Sequence, residues 1–192
     1  MINPIEKLAN YFIRSGVVDK EDHDIYIYGF KLLFAEFFHI VTILTIGWLA
    51  NEFLSITVFL LVYKCIREYS GGYHSKSSQG CYLLTVLVTV FVSASFKFDV
   101  LHSWSLLISL VSGSIIWFLS PQETENKPLE NWELPCYRRK SRIILVLSEI
   151  LILTFHVLYP LLEKGIVYAL LIQSIMLLIS ITERTIKQSS KY

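Results

Sequence analysis

Six apolar blocks separated by polar stretches organise the chain. They cover about residues 32–50, 53–66, 81–96, 101–119, 143–159 and 161–181. Each block is continuously apolar, whereas the strands of a membrane barrel alternate apolar and polar residues, so the pattern predicts helices. A helix needs roughly 17–25 residues to cross the bilayer core. The first, fourth and sixth blocks meet this length, while the second and third are short and are expected to end at the interface or to form a re-entrant pair.

The composition excludes an ordinary soluble protein. Hydrophobic residues make up 54% of the 192 residues and charged residues only 17%, against about 45–50% and 25% in soluble domains. The net charge of +1 gives no field that attracts nucleic acid, and three cysteines without a CxxC spacing argue against a disulfide framework or a zinc site. We therefore predict one all-α, polytopic integral membrane domain over residues 1–192, with no cofactor and no metal.

The distribution of basic residues predicts the orientation in the membrane. If the N-terminus is cytoplasmic and all six blocks cross, 15 of the 17 lysine and arginine residues lie on the cytoplasmic side, and only Lys97 and Lys164 lie outside. This distribution agrees with the positive-inside rule. Both termini are then cytoplasmic, although a re-entrant pair would give the same distribution of charge.

Two further segments lie outside the apolar blocks. In residues 1–30, Ile5, Leu8 and Phe12 recur at helical spacing, which predicts an amphipathic helix that lies either on the inner membrane surface or on the protein's own loops. Residues 120–142 are predicted to form a cytoplasmic loop. The second half of this loop is the basic run Arg138-Arg139-Lys140-Ser141-Arg142.

The segment 67–81 contains the candidate chemistry. His74 lies seven residues before Cys81, and Gly71 and Gly72 precede the histidine. In one continuous helix this spacing would separate the pair by about 10 Å, whereas a nucleophile and its base need roughly 2.6–3.2 Å. The glycines and serines of the segment favour a turn that folds back. Cys81 would then open a helix whose N-terminal dipole stabilises a thiolate, with His74 as its base.

The residues alone leave a structural alternative open. In that alternative Cys81 is a small apolar filler of a membrane helix and His74 faces the lipid headgroups. Cys65 and Cys136 have no partner comparable to His74 in the sequence, so we predict that both are dispensable.

The pattern Arg67-x-x-x-Gly71-Gly72-x-His74-x6-Cys81 resembles the core motif of the accessory gene regulator B family, which are bacterial membrane endopeptidases that process quorum-sensing propeptides. The chain length, the six blocks and the stretch Ser120-Pro121-Gln122-Glu123 before Asn126-Lys127-Pro128-Leu129 are also similar to that family. The resemblance covers essentially the whole chain and holds at every core motif position.

The resemblance implies a cysteine endopeptidase of the bacterial cytoplasmic membrane, with the His74/Cys81 loop on the cytoplasmic side. Cys81 would attack a peptide bond C-terminal to the future signal, with His74 as general base, and would form an acyl-enzyme thioester. A thiol or hydroxyl inside the propeptide would then attack that thioester and give a cyclic thiolactone or lactone. The implied partners are an AgrD-type propeptide, membrane lipid and a second copy of the chain in a homodimer.

Several residues near this pair are candidates for supporting roles. Arg67 matches a motif arginine and would hold the loop, pair with an acidic part of the substrate or anchor the chain at the inner leaflet. Gly72 would supply a backbone conformation closed to other residues. Glu68 is a candidate to orient His74, by proximity. Two roles account equally well for the basic residues Arg138, Arg139 and Lys140: they bind an acidic propeptide tail, or they anchor the chain on the cytoplasmic side of the membrane.

A non-enzymatic peptide transporter or export subunit is the alternative function. Such a carrier would tolerate Cys81→Ser and Cys81→Ala, which an acyl-transfer enzyme would not. A redox or metal sensor built on His74 and Cys81 is disfavoured, because two ligands without further cysteines or histidines nearby make a weak metal site.

Overall fold

The computed structural model describes residues 10–13, 15, 20–73, 77–97, 102–123, 130 and 132–189. These ranges contain six helices of at least 15 residues: α1 (His23–Leu49), α2 (Phe53–Ser70), α3 (Ser78–Lys97), α4 (Ser105–Leu119), α5 (Glu133–Leu158) and α6 (Pro160–Ser189). Short 3-10 turns occur at Lys20–Asp22 and His102–Trp104, and the described ranges contain no strand. The all-α prediction is confirmed, and each helix corresponds to one apolar block.

Four of the described helices are long and apolar enough to cross a membrane. The qualifying stretches are His23–Leu49, Gln79–Lys97, Glu133–Leu158 and Pro160–Ile186. The third block, expected to be short, therefore lies in a helix of spanning length. The fourth block, expected to be long enough, forms a helix α4 of only 15 residues, because His102–Trp104 is a 3-10 turn rather than part of the α-helix.

The chain divides into two compact units, Met1–Thr42 and Ile43–Tyr192. In the first unit, the ring of Phe12 stacks on that of Phe30 in α1, with centroids 5.7 Å apart. The helical residues 10–13 therefore pack against α1. The part of the predicted amphipathic segment before residue 10 lies outside the described residues.

Helix α6 forms the centre of the second unit. Helices α2, α4 and α5 pack directly on it, and most of its apolar stretch is buried. The core joins residues from all four of these helices: Ile66, Ile116, Leu145, Ile152, Ile166, Val167, Leu170 and Leu177. The outer faces of α2, α4 and α5 carry many exposed large apolar side chains, so the exterior of this unit suits a lipid environment.

Buried polar groups meet where α5 is followed by α6. The Glu163 side chain is 1% exposed; its Oε1 accepts a hydrogen bond from Ser105 Oγ at 2.6 Å and lies 2.8 Å from His156 Nδ1. These three residues are called the Glu163 cluster below. In a hydrolytic triad the serine contacts Nε2 of the histidine and the carboxylate contacts Nδ1. Here Ser105 Oγ lies 3.4 Å from Nδ1 of His156, the same nitrogen that contacts Glu163. The cluster therefore joins helices rather than forming a triad.

Candidate active site

The candidate nucleophile Cys81 lies at the end of the first turn of α3. Ser77 caps this helix, since its Oγ accepts a hydrogen bond from the Gly80 N–H at 3.0 Å. The Cys81 N–H donates to Ser77 O at 3.0 Å, and the Cys81 side chain is partly exposed. His74 lies outside the described residues, so its position relative to Cys81 stays a prediction.

Arg67 connects the end of α2 to the turn that follows it. Helix α2 continues to Ser70, so Arg67 is helical although the sequence placed it in a loop. Its Nη1 donates to the Tyr63 hydroxyl at 2.8 Å, and its Nη2 donates to the carbonyl oxygen of Tyr73 at 2.6 Å. Both hydrogen bonds are internal, so in this structure the guanidinium holds the backbone of the residue that precedes the candidate base.

Tyr63 is the side-chain hydrogen-bond partner of Arg67 within α2. Its ring stacks on Phe59 with centroids 5.5 Å apart, and its hydroxyl accepts the Arg67 hydrogen bond. Tyr63, Arg67 and Tyr73 therefore form one hydrogen-bonded group at the end of α2 and in the turn that follows it. Tyr63 was not a candidate in the sequence, because tyrosine is ordinary in an apolar helix.

The double-glycine turn after α2 adopts backbone conformations that other residues rarely reach. Gly71 has φ 72° and Gly72 has φ 127°. A Cβ on Gly71 would lie 2.1 Å from the carbonyl oxygen of Gln122, so the segment after α4 also occupies the space of a side chain there. A side chain at Gly71 is therefore excluded both by the backbone angle and by this close contact.

Two glutamines hold the turn in place. The Gln122 N–H donates to Ser70 O at 2.9 Å, which joins the segment after α4 to the end of α2. Gln173 of α6 is fully buried; its Nε2 donates to Ser70 Oγ at 2.6 Å and to Gly71 O at 2.8 Å. The Tyr73 N–H donates to Met176 O at 3.2 Å. The role of Gln173 was not predicted from the sequence, although an amide side chain within an apolar span indicates a buried polar contact.

The basic run is helical, because α5 begins at Glu133 within the predicted loop 120–142. Its side chains point to different neighbours. Lys140 Nζ lies 4.9 Å from the ring centroid of Tyr69 in α2, and the side chains of Lys140, Arg138 and Arg139 are all exposed. The structure thus places Lys140 against the helix that carries Arg67, while Arg138 and Arg139 line a separate groove.

The other candidates have exposed side chains. Glu68 is exposed and interacts electrostatically with Lys64, one helical turn earlier. Cys65 and Cys136 are free and exposed. Within the part of the chain that the structure describes, no three His, Cys, Asp or Glu side chains come together in a group able to hold a metal ion.

An apolar groove borders the turn on the side of α6. It has a volume of about 500 Å³ and contains Tyr73, Ile175, Leu178, Ile179 and Ile186 among its lining residues. Tyr73 directly precedes His74 in the chain. The groove therefore ends beside the candidate site and offers an apolar surface next to it.

Composition and the described helices define a helical membrane protein. The chain belongs to the accessory gene regulator B family, whose sequence profile matches residues 5–177. It is 29% identical over 189 residues to an AgrB-like protein of Clostridium perfringens, which covers 92% of this chain and 85% of the relative. It is 24% identical over 177 residues to Accessory gene regulator protein B of Staphylococcus aureus, which covers 92% and 93%. No solved structure matches the chain significantly.

Proposed function

We propose that this chain is a membrane cysteine endopeptidase that removes the C-terminal part of a quorum-sensing propeptide and lets the remainder cyclise. Family membership supports the signalling context. The observation that carries the proposal is the arrangement of the motif residues. Cys81 lies in the first turn of α3, which Ser77 caps, and Arg67 joins Tyr63 to the backbone of the residue before His74.

In the first half-reaction, His74 takes the thiol proton of Cys81 and the thiolate attacks the carbonyl carbon of the scissile peptide bond. The tetrahedral intermediate collapses with cleavage of the C–N bond. The leaving amine takes the proton back from His74, and the N-terminal part of the propeptide remains on Cys81 as a thioester.

In the second half-reaction, a cysteine thiol or serine hydroxyl inside the bound propeptide attacks the thioester carbonyl. Its proton passes to His74 and then to the departing Cys81 sulfur, which restores the enzyme. The product is a thiolactone or a lactone, and no water is consumed. Exchange of one thioester for another is nearly isoenergetic, so exclusion of water decides between cyclisation and hydrolysis.

A position below the membrane surface would help the site to exclude water. Helix α4 has 15 residues and is about 22 Å long, whereas the hydrocarbon core is about 30 Å thick. The segment after α4 contacts the double-glycine turn through Gln122 and Ser70. In a bilayer this turn would therefore lie below the membrane surface.

We further propose the cytoplasmic side for both termini and for the candidate site, in agreement with the distribution of lysine and arginine. The apolar groove beside Tyr73 would bind an apolar stretch of the propeptide. Lys140, which lies against α2, would contact an acidic part of the same substrate.

Cleavage of an AgrD-type propeptide tests the proposal directly. The propeptide is expressed with the chain in a bacterial membrane, and the cleaved C-terminal fragment is quantified. Cys81→Ser should abolish cleavage, whereas the matched variant Cys136→Ser should retain it, because Cys136 is exposed on α5 and lies outside the motif. A peptide carrier would tolerate both substitutions, so cleavage by Cys81→Ser at the parental rate would overturn the proposal.

Alkylation of the purified protein tests the nucleophile without substrate. Iodoacetamide modification of Cys81 and Cys136 is followed by mass spectrometry across a pH series. Cys81 should react at lower pH than Cys136, and His74→Ala should remove that difference, since the imidazole stabilises the thiolate. Identical pH profiles for the two cysteines, unaffected by His74→Ala, would contradict a coupled cysteine–histidine pair.

A further inference from the structure

A groove of about 740 Å³ lies between the end of α4 and the first turns of α5, on a different face of α5 from Lys140. One part of it is basic and the other is apolar. Its lining includes Arg138, Arg139, Arg142, Trp117, Ile143 and Val146.

Among the described residues that line the groove, none carries a negative charge to balance the basic part. The Arg142 guanidinium lies 4.4 Å from the ring centroid of Trp117, and its Nε is buried without a hydrogen-bond partner in the described part of the chain. Arg138 and Arg139 are exposed and form no hydrogen bond or ion pair there. Three like charges within five residues repel one another, so this surface favours an anionic ligand.

The apolar part of the groove restricts the kind of anion. From Leu134 to Leu147 the groove follows α5 for about 20 Å, from the polar start of the helix into its apolar stretch. A ligand that fills it must be anionic at one end and apolar at the other. An acidic peptide would satisfy the arginines but would leave Ile143 and Val146 without a matching partner.

We propose that this groove binds an anionic phospholipid, with its phosphate between Arg138, Arg139 and Arg142 and an acyl chain along Ile143 and Val146. Basic pockets between membrane helices are a known way of binding lipid headgroups. Guanidinium groups pair with phosphate through two parallel hydrogen bonds, which suits the free donors here. The proposed lipid site lies outside the segment 67–81 and does not depend on the proposed peptidase activity.

Quenching of Trp117 fluorescence by brominated lipid tests this site. Trp48, Trp104 and Trp132 are all strongly exposed and are replaced by phenylalanine, which leaves Trp117 as the reporter. The protein is reconstituted in phosphatidylcholine vesicles that contain either dibrominated phosphatidylglycerol or dibrominated phosphatidylcholine at the same mole fraction. Phosphatidylglycerol should quench with an apparent affinity about fivefold higher or more, and the preference should weaken in high salt.

Two double variants, each of which removes two positive charges, test whether the preference for phosphatidylglycerol depends on the groove. Arg138→Gln/Arg139→Gln should remove it, and folding is not at risk because both side chains are exposed and unpaired in the described structure. Lys31→Gln/Arg184→Gln removes two charges from other helices and should keep it.

Equal quenching by both lipids in the parent protein would overturn the proposal. So would a soluble poly-glutamate peptide that displaces brominated phosphatidylglycerol at lower concentration than free phosphatidylglycerol does, because the groove would then be a peptide site.

Discussion

At the residue scale, two hydrogen bonds inside the protein hold the guanidinium of Arg67, the arginine of the motif. Arg67 uses one edge of its guanidinium for Tyr63 and the other for Tyr73 O. A planar group with several donors in fixed directions can make both bonds at once, whereas a lysine ammonium on a flexible stem is not preorganised to do so. The identity of Arg67 is thus explained by geometry inside the protein.

Tyr63→Phe should lower the rate of propeptide cleavage about tenfold while leaving the protein folded. The ring and its stacking on Phe59 are kept, and only the hydroxyl that accepts the Arg67 hydrogen bond is lost, which costs about 0.5–1.5 kcal/mol. The rate is measured with the AgrD-type propeptide described above.

Tyr69→Phe is the matched control for this prediction. Tyr69 contacts Tyr137 and Lys140 through its ring and makes no hydrogen bond within the described residues, so its loss of a hydroxyl should leave cleavage unchanged. Parental cleavage by Tyr63→Phe would mean that the Tyr63–Arg67 contact has no bearing on the reaction.

At the element scale, the double-glycine turn is held by two separate pieces of chain, the segment after α4 and helix α6. Ser70 O and Gly71 O accept hydrogen bonds from Gln122 and Gln173, and Tyr73 N–H donates to α6. A turn fixed in this way holds Tyr73, the residue before His74, in a defined place. We therefore expect the two glycines to be needed for the backbone conformation of the turn and not for any chemical role.

Gly71→Ala should destabilise the protein by about 1–3 kcal/mol, because the added Cβ meets Gln122 O and the left-handed backbone is strained. Thermal unfolding in detergent measures the change. Gly29→Ala is the control: Gly29 is helical, a Cβ added there would meet no atom within 4 Å, and the variant should be neutral or slightly stabilising. Equal stability of the two variants would show that the turn relaxes freely.

The sequence predicts the helices better than their ends. The continuous apolar blocks locate each of the helices α1 to α6, because a helix that crosses the lipid core needs about 20 apolar residues. Charged residues can extend a helix beyond the membrane without altering this pattern. The extension of α2 to Ser70 and the start of α5 at Glu133 were therefore not predictable from hydrophobicity.

The site was predictable only where residues are close in the chain. The motif identifies Arg67, Gly72 and Cys81, all within 15 residues. Gln173 contacts Ser70 across a separation of 103 residues, and that contact exists only once α6 packs on α2. A local sequence pattern cannot indicate a contact between residues so far apart in the chain. The hydrogen bonds from Gln173 to the turn are therefore known only from the structure.

At the scale of the whole molecule, the second unit has polar contacts near both ends of its helices. The double-glycine turn lies at one end, and the Glu163 cluster, with the nearby Lys164–Glu52 ion pair, lies at the other. Such pairs are specific because unmatched polar groups in an apolar interior are costly. They therefore fix the relative positions of α2, α4, α5 and α6 more strictly than apolar packing alone.

Glu163→Ala should destabilise the protein by about 1–3 kcal/mol, because Ser105 and His156 lose their common acceptor in a buried position. Thermal unfolding in detergent measures this loss. Glu21→Ala removes an exposed carboxylate of the same charge and should change stability little. A Glu163→Ala protein as stable as Glu21→Ala would indicate that the cluster contributes nothing to the packing of these helices.

The short helix α4 has a consequence for the surrounding bilayer. An apolar span of about 22 Å beside much longer neighbours is a hydrophobic mismatch, which lipids relieve by thinning locally or by admitting water and headgroups from one side. If the chain is the proposed peptidase, a peptide substrate would have less hydrocarbon to enter in that thinned annulus before it meets Cys81. Acyl-chain length would then be a variable of the proposed activity: shorter lipids would match α4, and thicker membranes would bury the site more deeply.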